Sequence, residues 1–162
     1  MGSVYPELPS YISATTATIL SGNRSAQAAL ALYKSTAGAT AKSKIKAVLD
    51  ACRAARDKSV AASAPVNALS GLLVMGNVFF VEPLSYTYRA NTLAAIVAST
   101  AAVPKWAAAA ALLAAIPAPT TMPNLLALDT LKCLVNGGLA NAATAVVDGW
   151  VLDDAILSQM GG

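Results

Sequence analysis

Apolar residues recur along this chain at helical spacing, and clusters of glycine, proline and small polar residues interrupt them. Ile45, Val48, Leu49 and Cys52 follow i, i+3, i+4, i+7, which predicts one apolar face of a helix over 40–63. Thr40 caps this helix and Pro65 closes it. Upstream, Ser10 caps a helix ending at Ser21-Gly22, and Asn23 caps another over 24–36 that turns Ala28, Ala31 and Leu32 inward. The two read equally as one kinked helix. Residues 1–9, with Pro6 and Pro9, read as an extended arm.

Residues 66–81 are the most hydrophobic passage. The half from Leu72 to Val81 is β-branched and aromatic, predicting a short strand-like or irregular segment near 72–82. An Ala-rich helix over 91–103 then meets Pro104, and Lys105 and Trp106 reopen a stretch through Ile116; Pro104 either ends the helix or kinks a longer one. Pro117, Pro119 and Pro123 make a stiff connection. The last helix starts at Asn124 with Leu125, Leu128, Leu131 and Cys133 to Val135 apolar. Asn136-Gly137-Gly138 predicts a break or bend, and Ala143, Val146 and Trp150 share a face beyond it. Together these elements predict an all-α, four-helix-bundle-like single domain over 1–162.

Composition sharpens the picture. The 162 residues are 56% apolar and only 12% charged, about half the usual charged share. A lone soluble subunit of this size lacks the charge to cover itself, so copies of itself or lipid must cover part of its surface. The lipid alternative has a definite form: a small integral membrane protein with spans near 59–81 and 91–116. No charge falls between Ser59 and Val81, a run of 23 residues long enough to span. Pro65, Asn67, Gly71, Gly76 and Asn77 punctuate that run and argue against a span.

Candidate chemistry is sparse. The chain has no histidine, which removes the commonest general base and metal ligand. Gly71–Gly76 lacks the Lys-Ser/Thr of a phosphate loop, and no nucleophile-elbow or metalloprotease motif is present. Cys52 and Cys133 each fall on the apolar side of a predicted helix and read as reduced core residues, a bridge between them being the alternative. The expectation is a non-enzymatic protein with no metal and no cofactor. The start M-G-S-V-Y-P fits neither a myristoylation signal nor a secretory one.

Charge, though scarce, is segregated. Residues 24–58 hold eight of the eleven bases and two acids, net +6, while the rest of the chain is net negative. Lys42, Lys46 and Arg53 fall on a stripe beside the apolar face, within roughly 40° of one another. Arg56 projects about 20° from Ile45, inside the apolar seam, where a guanidinium needs an anionic partner. A phosphate satisfies it through a bidentate contact. Asp50 and Asp57, four residues after Lys46 and Arg53, offer ordinary surface ion pairs instead. Tyr86, Tyr88 and Arg89 form an aromatic-basic cluster suited to stacking a base and holding a phosphate, or simply to seating a loop on the core. Asp153-Asp154 is read as solvated, or as a partner for the basic helix of a neighbouring copy.

The order of these features resembles the coat proteins of rod-shaped helical viruses of the tobamovirus type. The segment Tyr86-Thr87-Tyr88-Arg89-Ala90-Asn91 stands where that family has a Tyr/Arg/Asn-containing passage before its third helix. Pro117-Ala118-Pro119-Thr120-Thr121 is similar to its link into the last long helix. The resemblance covers most of the chain in layout and about six residues in motif. It departs in having Arg89 alone on its segment and an Ala-rich middle. It implies a self-assembling subunit of a virion that packs nucleic acid; the residues that the charge pattern offers for neutralising phosphates without reading sequence are Lys42, Lys46, Arg53 and Arg56, with Arg89 as a further candidate.

Overall fold

The computed structural model describes residues 5–74 and 82–159. Five helices follow one another: α1 (Glu7–Ser35), α2 (Ala39–Val60), α3 (Ser63–Val74), α4 (Glu82–Ala114) and α5 (Met122–Gln159). Helix α1 packs on α2 and α5, and α4 packs on the same two. Ser10 meets Asp148 and Ser35 meets Asn124, so α1 and α5 run antiparallel. Arg89 meets Asp153 and Trp106 meets Gly138, so α4 is antiparallel to α5 as well, and it packs on α2 through Trp106 and Ser59. The domain is thus an up-down-up-down four-helix bundle, all-α, with no strand among the described residues. Helices α2 and α5 stand at opposite corners.

Each long helix buries one face with a strict alternation of three and four residues. In α1 the series is Leu8, Tyr11, Thr15, Thr18, Gly22, Ser25, Ala29, Leu32; in α5 it is Leu128, Leu131, Val135, Gly138, Ala142, Ala145, Gly149, Leu152, Ile156. Helix α4 runs Tyr88, Thr92, Ala95, Ser99, Ala102, Trp106, Ala109, Leu113. The series Ile45, Val48, Cys52, Ala55, Ser59, Ala62, Val66, Leu69 crosses the two-residue turn at Ala61–Ala62, so α2 and α3 act as one side of the bundle. A 3.5-residue repeat drifts about 20° per heptad against a straight helix and goes with left-handed packing near +20°.

Two apolar clusters fill the ends of the bundle. One holds Leu32, Ile45, Val48, Leu113, Leu128 and Leu131; the other holds Tyr5, Leu8, Tyr11, Leu69, Leu152 and Ile156. Between them the interior narrows to small and hydroxylated residues. Thr15 and Thr18 return their hydroxyls to the carbonyls of Tyr11 and Ala14, both at 2.9 Å, so burial leaves neither unsatisfied. The bulk at this waist comes from Trp106, fully buried, whose indole N–H donates to Ser59 Oγ at 3.0 Å. Its six-membered ring lies against the backbone at Gly138: a β-carbon there would sit 2.5 Å from two ring carbons. Gly149 receives Ile96 and Tyr11 in the same way.

Several sequence expectations change. Tyr5 is buried with its ring 5.2 Å from Tyr88, and the helix begins at Glu7, so 5–9 is no extended arm; residues 1–4 lie outside the described part. Pro9, Pro65, Pro83 and Pro123 all stand in first turns, where a missing N–H has no partner to lose. Pro65 therefore opens α3 instead of closing the basic helix. Leu72–Val74 and Glu82 are helical, while the rest of the strand-like segment, 75–81, lies outside the described residues. Pro104 does not end α4, because it faces solvent and the bond it forgoes belongs to exposed Thr100. Asn136-Gly137-Gly138 does not break α5, since Gly138 is the seat of Trp106.

Candidate nucleic-acid interface

Helix α2 carries six bases against two acids and occupies one corner of the bundle, while α5 at the opposite corner carries one base against four acids. Four of the five candidate residues share α2. Arg53 and Arg56 line a shallow cleft of about 140 Å³ against α1, together with Asn23, Gln27, Ala26 and Leu30. Two guanidiniums and two side-chain amides around a small apolar floor form a donor-rich surface with no carboxylate in its lining. Further along the same edge the Lys42 ammonium sits 4.7 Å from the centre of the Tyr33 ring, a cation–π contact that holds the charge at the surface.

Two of these cations have acidic neighbours. Lys46 pairs with Asp50 at 3.0 Å, an i,i+4 pair in full solvent of the kind that contributes a few tenths of a kcal/mol. Asp57 pairs with Arg56 at 3.0 Å and not with Arg53, so Arg53 has no ion-pair partner among the described residues. Lys44 and Lys58 are likewise exposed and unpaired.

Arg56 stands at the edge of the α1–α2 seam: its Cα, Cβ and Cγ lie against Gly22, while its guanidinium reaches out to Asp57 and the side chain is half-buried. A straight-helix projection misplaces it. Over the eleven residues from Ile45 the 3.5-residue seam drifts by about 30°, which puts Ala55 in the core and rotates Arg56 outward.

Arg89 is separate. It lies toward the other end of the bundle and donates from Nε to Asp153 at 3.1 Å. The Asp153 side chain is only 4% exposed, so this ion pair neutralises an otherwise buried carboxylate. Asp153 therefore has its partner within the chain, and only Asp154 of the acidic pair faces solvent. Tyr88 is buried edge-on against Tyr5, and burial raises its pKa with help from Tyr5, so its ring is not available to a base; Tyr86 is exposed. The segment 86–91 is already part of α4 and makes no turn into it.

Cys52 is buried, and desolvation pushes its thiol to about 11; Cys133, expected in the core, is exposed. Both are free thiols. Among the described residues no three His, Cys, Asp or Glu side chains come together as a metal site. The sequence reading missed the waist: Trp106, Ser59 and Gly138 carry no motif, and only the heptad count points to them.

No family model, no curated protein and no solved structure matches this chain.

Proposed function

We propose that this chain is a non-enzymatic, self-assembling structural subunit, a viral coat or nucleocapsid type of protein, that packs nucleic acid through phosphate contacts on α2. The observation that carries this reading is the polarity of the bundle. Unpaired Arg53, Lys44 and Lys58 crowd the α2 corner, while the α5 corner exposes Leu126, Val147, Trp150 and Val151. An apolar outer face suits burial against copies of the same chain. A cationic corner left open by such packing neutralises phosphates without reading bases. The layout resemblance to rod-shaped virus coat proteins supports the same assignment, with Lys42, Lys46, Arg53 and Arg56 as the contacts. Arg89, already neutralised by Asp153, is not among them.

The test is a Lys42→Ala/Lys46→Ala/Arg53→Ala triple variant, all surface changes, titrated with a single-stranded homopolymer across a salt series. Each lost phosphate contact lowers the salt slope by about 0.7, so the triple variant should lose about 2 from it. An unchanged slope refutes the interface. Sedimentation without detergent, read at nucleic-acid and protein absorbances together, tests the assembly.

The second reading, an integral membrane protein, draws on 86–114 within α4, the one segment among the described residues long and apolar enough to cross a bilayer. The other span that reading needs, 59–81, is divided in its described part between the end of α2 and α3. Protein that leaves solution until detergent is added favours this reading over assembly.

A further inference from the structure

Where α1 turns into α2 and α4 leads into α5, the bundle end holds a half-open cavity of about 390 Å³. Its apolar walls come from Leu32, Ile45, Ile116, Pro117 and Pro119. Two of the lining hydroxyls, Ser35 and Thr36, are already engaged, while those of Thr40, Thr120 and Thr121 also line the cavity. Ser35 Oγ donates to Asn124 Oδ1 at 2.8 Å, Asn124 Nδ2 donates back to the Ser35 carbonyl at 3.3 Å, and Thr36 Oγ1 donates to the Leu32 carbonyl at 2.6 Å. The two Ser35–Asn124 bonds clamp α1 to α5, and the Thr36 bond closes the end of α1. Lys44 is the only charged residue in the lining, and it has no ion-pair partner among the described residues. Helix α2 starts beside it at Gly38 without a side-chain cap, so the positive end of its dipole adds to the Lys44 field.

We propose that this cavity binds a medium-chain aliphatic carboxylate, with the alkyl chain against Leu32, Ile45 and Ile116 and the carboxylate at Lys44 Nζ. The volume lies in the range of small-molecule sites, and apolar walls with a few placed polar groups, here Lys44 with the Thr40, Thr120 and Thr121 hydroxyls, are their usual composition. A single ammonium matches a monoanion. A free phosphate dianion would find a single cation and mainly apolar walls here, with nothing to fill them. The site is separate from the α2–α1 cleft and does not depend on nucleic-acid binding.

The test is calorimetric titration of the full chain with decanoate below its micelle concentration, with decanol as the uncharged control and methyl NMR to locate the ligand. Saturable binding is expected, with shifts at Ile45 and Ile116. Lys44→Ala, an exposed change, should weaken decanoate about fivefold and leave decanol unaltered. Ala41→Phe, filling the mouth from an exposed position, should remove both. Absence of saturable binding, a decanoate affinity indifferent to Lys44→Ala, or shifts confined to Leu126 and Val147 on α5 would overturn the proposal.

Discussion

Gly137 and Gly138 are adjacent in one helix, yet alanine at each should change stability in opposite directions. A β-carbon at Gly137 meets nothing within 4 Å, so Gly137→Ala gains only helix propensity, up to about 1 kcal/mol. A β-carbon at Gly138 would lie 2.5 Å from two Trp106 ring carbons and 2.7 Å from a third. Ring and backbone would have to part by about 1 Å to restore normal contact. The indole is rigid, fully buried and held by its hydrogen bond to Ser59, so it cannot swing aside. Overpacking of this kind costs about 3 kcal/mol at the upper end. Subtracting the propensity gain leaves Gly138→Ala less stable by about 2 kcal/mol. In a domain of this length that is a fall in melting temperature of roughly 4–8 °C, against a rise of up to about 4 °C for Gly137→Ala. Urea unfolding followed by far-ultraviolet circular dichroism measures both. Trp106→Phe in the Gly138→Ala background should cost less than in the wild type, because the smaller ring and the new methyl group share the space. If both alanines stabilise alike, the Trp106–Gly138 contact, and with it the α4–α5 register, is wrong.

Three further outcomes follow from the same packing. Arg89→Ala leaves the Asp153 carboxylate buried without its counter-ion; with Arg89 itself about one-third exposed, the loss should be about 2 kcal/mol, below that of a fully buried pair, and Asp153→Asn should recover part of it. Its nucleic-acid salt slope should stay at the wild-type value, since a changed slope would return Arg89 to the interface. Alkaline stability should be flat to pH 9 and then decline. Burial raises Cys52 from 9.0 to about 11 and Tyr11 from 10.0 to about 12, and for both groups the unfolded chain ionises first. The stability each provides is complete below its unfolded pKa and is lost as pH rises through the folded one, roughly 2–3 kcal/mol apiece. Urea midpoints measured against pH should show Tyr11→Phe flattening the part above pH 10, and an unaltered profile would refute this. Finally, a thiol reagent at neutral pH should label exposed Cys133 quickly and buried Cys52 only on unfolding; equal rates in native protein would contradict the α2 packing.

The seam of α2 was legible because its buried residues are large: Ile45, Val48, Leu49 and Cys52 announce a face by hydrophobicity alone. Helix α5 was not. Its core positions in the middle are Gly138, Ala142, Ala145 and Gly149, while Val147, Trp150 and Val151 point outward. Choosing a face by bulk therefore selects Ala143, Val146 and Trp150, one residue out of register; Ala143 and Trp150 are in fact exposed and Val146 half-buried. Counting threes and fours onward from Leu128, Leu131 and Val135 lands on every buried position to Ile156 except the ion-paired Asp153, so the signal lay in the period and not in the size. The basic corner was readable as charge density, but Arg89 was not separable from it. Its partner Asp153 is 64 residues away, a pairing that only the antiparallel register of α4 on α5 supplies.

That same inversion, small and hydroxylated inside and bulky outside, bears on what covers α4 and α5. Lipid is a poor fit for α5, where exposed Asp129, Asn136, Thr144 and Asp154 recur between the exposed apolar residues. The longest stretch of α5 free of acids, 130–147, still carries Lys132, Asn136, Asn141 and Thr144, and α5 is not among the described helices apolar enough to cross a bilayer. Helix α4 passes the length and composition test, but it cannot enter lipid alone while the bundle stays closed. Withdrawing it would expose Trp106, strip Ser59 of its donor and leave Asp153 unpaired. Another protein surface makes no such demand. In the proposed assembly the exposed Val97, Val147 and Trp150 would bury against apolar neighbours, and the interspersed acids and amides would stay at a hydrated rim or hydrogen-bond across the contact. The arrangement of polar groups on α5 therefore fits the proposed contact with a second copy of this chain better than contact with lipid.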